Sequence, residues 1–198
     1  MNKQTQQTEK TKKALKEAFL VLYQQKDIDK ITIKAISDGA SVYRSTFYIH
    51  FTDIFDLLNQ IEQEEVGKFK SYIQINFKEA TIKQFMQLII SYFELNGNLL
   101  YLLVRKSKND HFSTSIKQAI VKIIEDILGI KQKNNVKVDF ALEYIADSFI
   151  FLLGFWHQNQ AEIKIGELYP FAMQILHHGV LSELTPFATK SSDTIQQL

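Results

Sequence analysis

Residues 31–58, ITIKAISDGASVYRSTFYIHFTDIFDLL, decide the fold. The Thr32 hydroxyl is placed to cap a helix start, and Ile33, Ile36 and Ala40 set apolar groups on one face of the short helix that follows. Ser41 and Val42 interrupt that helix. A second short helix then carries Tyr43, Arg44, Ser45, Thr46, Tyr48 and His50, whose polar and amphipathic side chains donate to phosphate or base edges. Val42, Phe47 and Phe51 are its core-facing anchors. Two short helices joined by a tight turn, with a third beginning at Asp53, predict a helix-turn-helix whose outer face fits a DNA major groove.

The same stretch resembles the TetR family of one-component transcriptional regulators, whose pattern runs T-(V/I)-x-x-I-A-x-x-A-G-V-S-x-(G/S)-T-(F/L)-Y-x-(H/Y)-F-x-(D/S)-K-x-x-L. The matching residues are Thr32, Ile33, Ile36, Ala40, Val42, Ser45, Thr46, Phe47, Tyr48, His50, Phe51, Asp53 and Leu57. Among the positions that depart, Ser41 stands at the turn glycine, Tyr43 at a serine and Ile54 at a lysine. In the family that lysine touches phosphate, so Ile54 implies weaker or differently aimed binding. The resemblance implies phosphate contacts for Thr32, Ser45, Tyr48 and His50. Arg44 is the first choice for a base contact, to guanine, with Tyr43 and Thr46 beside it.

Charge agrees with a nucleic-acid partner. Residues 1–50 hold nine Lys/Arg against five Asp/Glu, +4, which leaves −3 for the rest of a chain whose total is +1. Lys10, Lys12 and Lys13, on the first predicted helix, are placed to meet phosphates. The competing interpretations are a solvated helix end for the lysines and a purely structural helical hairpin for the motif.

With 198 residues and 45% hydrophobic composition, the chain can bury a sizeable core. Only two prolines and seven glycines, and no sustained strand alternation, predict an all-α protein. The absence of cysteine excludes disulfides, thiol nucleophiles and zinc ribbons. The amino terminus lacks an apolar signal core, and the richest apolar run, from Ile145, is too short for a bilayer and contains Asp147, so a cytoplasmic protein with no membrane contact is expected.

Helical spacing predicts a first helix over 8–26, the two short motif helices and a fourth over 53–77. Further helices are expected over 82–95, 99–106, 112–128, 138–158 and 166–184, broken at Gly97, 109–110, 129–135 and 159–164. The domains expected are 1–52 for DNA binding, 53–185 for effector binding and dimerisation, and a frayed tail over 186–198. About nine helices in this order is what the TetR resemblance implies. The segments LLYLLVRKSKNDHF and DSFIFLLGFWHQNQ resemble a carboxyl-terminal domain type of regulators related to the dihydroxyacetone-utilisation regulator.

The last two helices carry more apolar residues than one buried face requires, among them Phe140, Tyr144, Phe155 and Phe171. In the family the corresponding helices pair across a twofold axis, which implies a homodimer on a near-palindromic operator; Gly154 and Gly179 would permit close approach there. A thick intramolecular core is the alternative. Tyr92, Phe93, Tyr101, Phe112, Phe149 and Trp156 supply aromatic groups to the middle helices, where TetR-like proteins enclose an effector, here a hydrophobic or aromatic small molecule. Such a stripe also reads as plain core. Tyr92, Asn96, Tyr101, Arg105, His111 and His157 are the polar groups available to orient a ligand.

No catalytic residues, metal ligands or cofactor are expected. His177 and His178 are adjacent and point about 100 degrees apart on a helix, so they do not chelate one ion together. Glu62, Glu64 and Glu65 lack a histidine at metal spacing, and no phosphate-cradling loop or serine elbow occurs. The expected function is a ligand-responsive transcriptional repressor. The alternatives are a co-regulator that keeps the reader fold but acts by protein–protein interaction, and an enzyme using the helical cavity, for which no constellation speaks.

Overall fold

The computed structural model describes residues 3–76, 81–106, 110–130, 135–176 and 179. Among them stand eight α-helices, α1 (Lys3–Gln25), α2 (Ile33–Gly39), α3 (Arg44–His50), α4 (Ile54–Asn76), α5 (Ile82–Lys106), α6 (His111–Leu128), α7 (Val136–Asn159) and α8 (Ile165–Leu176), with a 3₁₀ turn at Ile28–Lys30 and no strand. The chain is all-α, as its composition predicts. The tail over 186–198, His177, His178 and residues 180–184 of the expected last helix lie outside the described residues.

The chain's contacts divide it into two compact units, Met1–Glu64 and Glu65–Leu198. The division falls inside α4. The reason is burial: Leu57 and Ile61, in the first two turns of α4, are covered as fully as Phe19, Ile36 and Phe47 of the preceding helices. Lys16 on α1 also forms an ion pair with Glu64 on α4. These early turns complete the core of the first unit, and a ring pair from α1, Phe19 on Tyr23 at 5.1 Å, anchors it. Burial and the nearby charges of Glu62 and Asp27 push the Tyr23 phenol up to about 12.

In the second unit α5, α6 and α7 pack mutually and α8 meets α5 and α7. Phe85, Ile89, Phe93, Phe112, Ile120 and Phe149 are buried at its centre. The expected break at Gly97 is absent, since α5 runs unbroken from Ile82 to Lys106. Gly97 is instead a packing position. A Cβ there would stand 2.8 Å from Trp156 Cζ3, so the bare backbone admits the indole of α7. Gly129 does end a helix, at φ 65°, a left-handed conformation that glycine adopts without strain.

Candidate nucleic-acid interface

The turn between α2 and α3 is built as its residues predict. Thr32 caps α2, its Oγ1 accepting from Ala35 N at 3.2 Å. The turn passes through Ser41 at φ 56°, one of two non-glycine residues with positive φ among the described residues. That backbone explains why glycine is the pattern residue there: an L side chain in this region costs about 1–2 kcal/mol. Val42 N then donates to Ser37 O at 3.0 Å, closing the turn. The Ser37 hydroxyl is buried without a hydrogen-bond partner among the described residues.

Two anchors hold α3 against this frame. Phe47 and Phe51 are 0% and 2% exposed, with ring centroids 5.4 Å apart. The helix period sends the other side chains outward. Tyr43 is 85% exposed and Tyr48 50%, and Arg44 and Ser45 are exposed as well. Thr46 and His50 are half-buried, and Thr32 is exposed at the start of α2. Among the described residues no carboxylate bridges Arg44; its Nη2 donates to the Tyr48 hydroxyl at 3.2 Å. The spacing of these two residues, i and i+4 on one helix, is the sequence signal that would have found the pair.

Tyr43 is the N-cap of α3 but gives it no side-chain cap, because a phenol set far from its own backbone cannot turn back to the first amides as a serine does. Ile54 is half-buried in the first turn of α4. The cap of α4 is carboxylate-built: Asp53 Oδ1 accepts from Asp56 N and Asp56 Oδ2 from Thr52 N, both at 2.8 Å. The Thr52 amide, and next the Gln60 amide, hold the Asp56 carboxyl below its ordinary value. Burial, and next the charge of Lys12, push the His50 imidazole below its ordinary value, while Glu9 pulls the other way. Lys12 therefore sits near α3, a proximity the sequence pattern did not reveal. Lys13 pairs with Glu17 at 3.7 Å.

The six aromatic residues expected to line an effector cavity differ in their surroundings. Tyr92, Phe93, Phe112 and Phe149 are 4% exposed or less, in the core of the second unit. Tyr92 packs on Phe69 and Tyr72 at 5.3 and 5.2 Å. Trp156 covers Gly97 and joins a cluster with Ile90, Leu152 and Ile165. Tyr101 stacks on His157 at 3.8 Å and accepts from Arg105 at 3.1 Å, while His157 Nε2 meets Asn98 Oδ1 at 3.1 Å. Tyr101, Arg105 and His157 thus satisfy one another. Of the six, Phe149 alone borders the groove of about 310 Å³ between α7 and α8, whose walls include Tyr144, Phe151, Phe155 and Phe171. A second groove, of about 490 Å³ between α4 and α6, is lined by Lys70, Gln74, Gln118 and Lys122 and by none of the six. Among the described residues no three His, Asp or Glu side chains gather as metal ligands, and no helix is long and apolar enough to cross a membrane.

No family model and no curated protein matches the chain. Solved structures do. A TetR transcriptional regulator from Streptococcus agalactiae 2603V aligns over 87% of this chain and 97% of its own, with TM-score 0.66 and 24% identity. The chain has the TetR-type regulator fold. The same TetR-type fold relates it to FadR of Bacillus subtilis, solved in complex with stearoyl-CoA, at TM-score 0.63 and 21% identity over 84% of this chain and 96% of that one. The dihydroxyacetone kinase operon activator DhaS also has it, at TM-score 0.59 and 17% identity over 90% and 98%. Within the TetR-type fold, α2 and α3 of this chain are the helix-turn-helix, and the departures at Ser41, Tyr43 and Ile54 fall in or beside it.

Proposed function

We propose that this chain is a dimeric, DNA-binding transcriptional regulator that represses by occupying a near-palindromic operator. The observation that carries the reading is the outward face of α3: Tyr43, Arg44, Ser45 and Tyr48 are exposed while Phe47 and Phe51 lock the opposite side into the core. Such a helix offers donors to base edges and phosphates without disturbing its own anchors. Arg44 is the base-reading residue of this proposal. Tyr43 and Thr46 flank it, and Thr32, Ser45, Tyr48 and His50 meet phosphate. No catalytic step is part of the reading.

A second copy of the chain supplies the twofold symmetry. Phe140, Phe151, Phe171 and Ile175 are 58% exposed or more on α7 and α8, an apolar face too large to leave in water. A Cβ at Gly154 would meet nothing within 4 Å, which leaves that side of α7 open to a neighbour. Operator affinity responds to a hydrophobic or aromatic small molecule in the second unit, among the α5–α7 aromatics that include Tyr92, Phe93, Tyr101, Phe112, Phe149 and Trp156. A ligand that prefers one state by about 1–3 kcal/mol changes that affinity roughly 5- to 150-fold.

One observation favours a second reading, a co-regulator that binds protein and little DNA: Ile49 and Phe55 are 76% and 57% exposed near the reader. Titrating the chain against DNA from upstream of its own gene at several salt concentrations separates the two. Phosphate contacts make DNA affinity fall steeply with salt, so a shift lost between 50 and 200 mM salt, by about 10³-fold or more for six phosphate contacts, supports the regulator. A shift that is absent or indifferent to salt supports the interaction module.

A further inference from the structure

Arg44 and Tyr48 stand one turn apart on the exposed side of α3, and the pair is held from below. Arg44 Nη2 donates to the Tyr48 hydroxyl at 3.2 Å, and its Cζ lies 5.9 Å from the centre of the Tyr48 ring. Tyr48 in turn meets Phe47 edge to face, at 5.7 Å and 84° between planes, and Phe47 is 0% exposed. A core ring steadies the tyrosine, and the tyrosine steadies the arginine.

We infer that Tyr48 is a positioning residue for base reading: it presents the Arg44 guanidinium to the groove before DNA arrives. The inference rests on the reading that α3 enters DNA. It assigns Tyr48 a task beyond the phosphate contact expected of it. A guanidinium has five N–H donors in a fixed fork, and a guanine edge takes two of them at O6 and N7. The Tyr48 hydroxyl engages one and leaves enough for the base. As an acceptor towards Arg44, that hydroxyl keeps its own O–H for a phosphate oxygen, so one group ties the backbone contact to the base contact.

The gain is one of order. Immobilising a long side chain on binding costs about 0.5–1.5 kcal/mol, and at 1.4 kcal/mol per tenfold a prepositioned arginine retains a discrimination of about two- to twelvefold that a mobile one loses. Arg44 itself supplies the discrimination. Tyr48 acts through it, and removing Arg44 should leave Tyr48 with a phosphate contact alone.

The test uses the full chain and a duplex that it enriches from a random-sequence library. Binding of wild type, Tyr48→Phe, Arg44→Ala and the double variant is measured on that duplex and on one with the contacted guanine replaced. Tyr48→Phe keeps the ring on Phe47, and a thermal melt checks that it folds. Tyr48→Met, which also covers Phe47 but lacks ring and hydroxyl, serves as the second variant. The expected result is a discrimination reduced about three- to tenfold in Tyr48→Phe, at least as far in Tyr48→Met, and no further reduction on adding Tyr48→Phe to Arg44→Ala. Equal weakening on both duplexes, additive with Arg44→Ala, makes Tyr48 a phosphate contact only and overturns the inference while the DNA-binding reading stands. A wild-type chain that enriches no sequence and retains no duplex overturns both.

Discussion

Gly97 of α5 lies against the indole of Trp156 of α7, so closely that a Cβ on the glycine would stand 2.8 Å from Trp156 Cζ3 and 3.4 Å from Cη2. A glycine in mid-helix costs about 1 kcal/mol relative to alanine, yet α5 continues through it because α7 packs there. Tertiary contact outweighs local propensity at this position.

Gly97→Ala sets the two effects against each other. Alanine returns about 1 kcal/mol of helix propensity, whereas forcing a methyl into a filled site costs about 1–3 kcal/mol. The variant is expected to melt a few degrees lower than wild type. Because Trp156 is the single tryptophan, its fluorescence reports the displaced indole directly. A higher melting temperature with an unchanged emission spectrum would show that the indole yields without cost.

Ser41 holds a left-handed backbone, φ 56°, at the helix-turn-helix turn. Relief of about 1–2 kcal/mol of strain by glycine is partly offset by about 0.5–1 kcal/mol of extra chain entropy. Ser41→Gly should therefore stabilise the chain by about 0.5 kcal/mol or somewhat more. Ser41→Val should destabilise it, because a branched side chain tolerates this region least. Denaturant midpoints in the order Gly, Ser, Val from high to low are expected, and the reverse order would remove the strain from the account.

The Asp56 carboxyl sits below its ordinary 3.8 because the Thr52 amide and the Gln60 side chain donate to the ionised form. A depressed folded value stabilises the fold where the carboxylate is charged. That contribution is complete above the unfolded value, near 3.8, and is lost as pH falls below it towards the folded value. Asp56→Asn is expected to be less stable than wild type at neutral pH and to close the gap at acid pH. A constant gap across pH 2–7 in urea unfolding would assign the loss to packing.

Much of the reader was legible because its chemistry is local. The Thr32 cap, the Phe47 and Phe51 anchors and the outward Arg44 each follow from a residue type at one spacing within a single turn or helix. Leu57 and Ile61, in the early turns of α4, follow from the same helical spacing and are buried in the first unit. The middle helices were the least legible. An aromatic at helical spacing looks the same whether it lines a cavity or fills a core, and Tyr92, Phe93 and Phe112 are buried. The stack of Tyr101 on His157, with Arg105 donating to Tyr101, was not legible because it joins α5 to α7, far apart in sequence.

Phe151 is 71% exposed on the proposed dimer face, so replacing it disturbs little within one chain. Phe151→Glu places a charge that an apolar interface buries at a cost of several kcal/mol. Sedimentation should find wild type dimeric at micromolar concentration and Phe151→Glu monomeric, with unchanged helix content by circular dichroism. A monomeric wild type would leave that face without the assigned partner.

The central claim is that α3 reads DNA through Arg44. The direct measurement is competition binding of wild type and Arg44→Ala to a duplex carrying the site protected upstream of the chain's own gene and to its single-base variants. The account predicts that Arg44→Ala costs about 1–3 kcal/mol on the native site, loses preference at one guanine and keeps nearly the same affinity for non-specific DNA. Unchanged preference at every base position would contradict it.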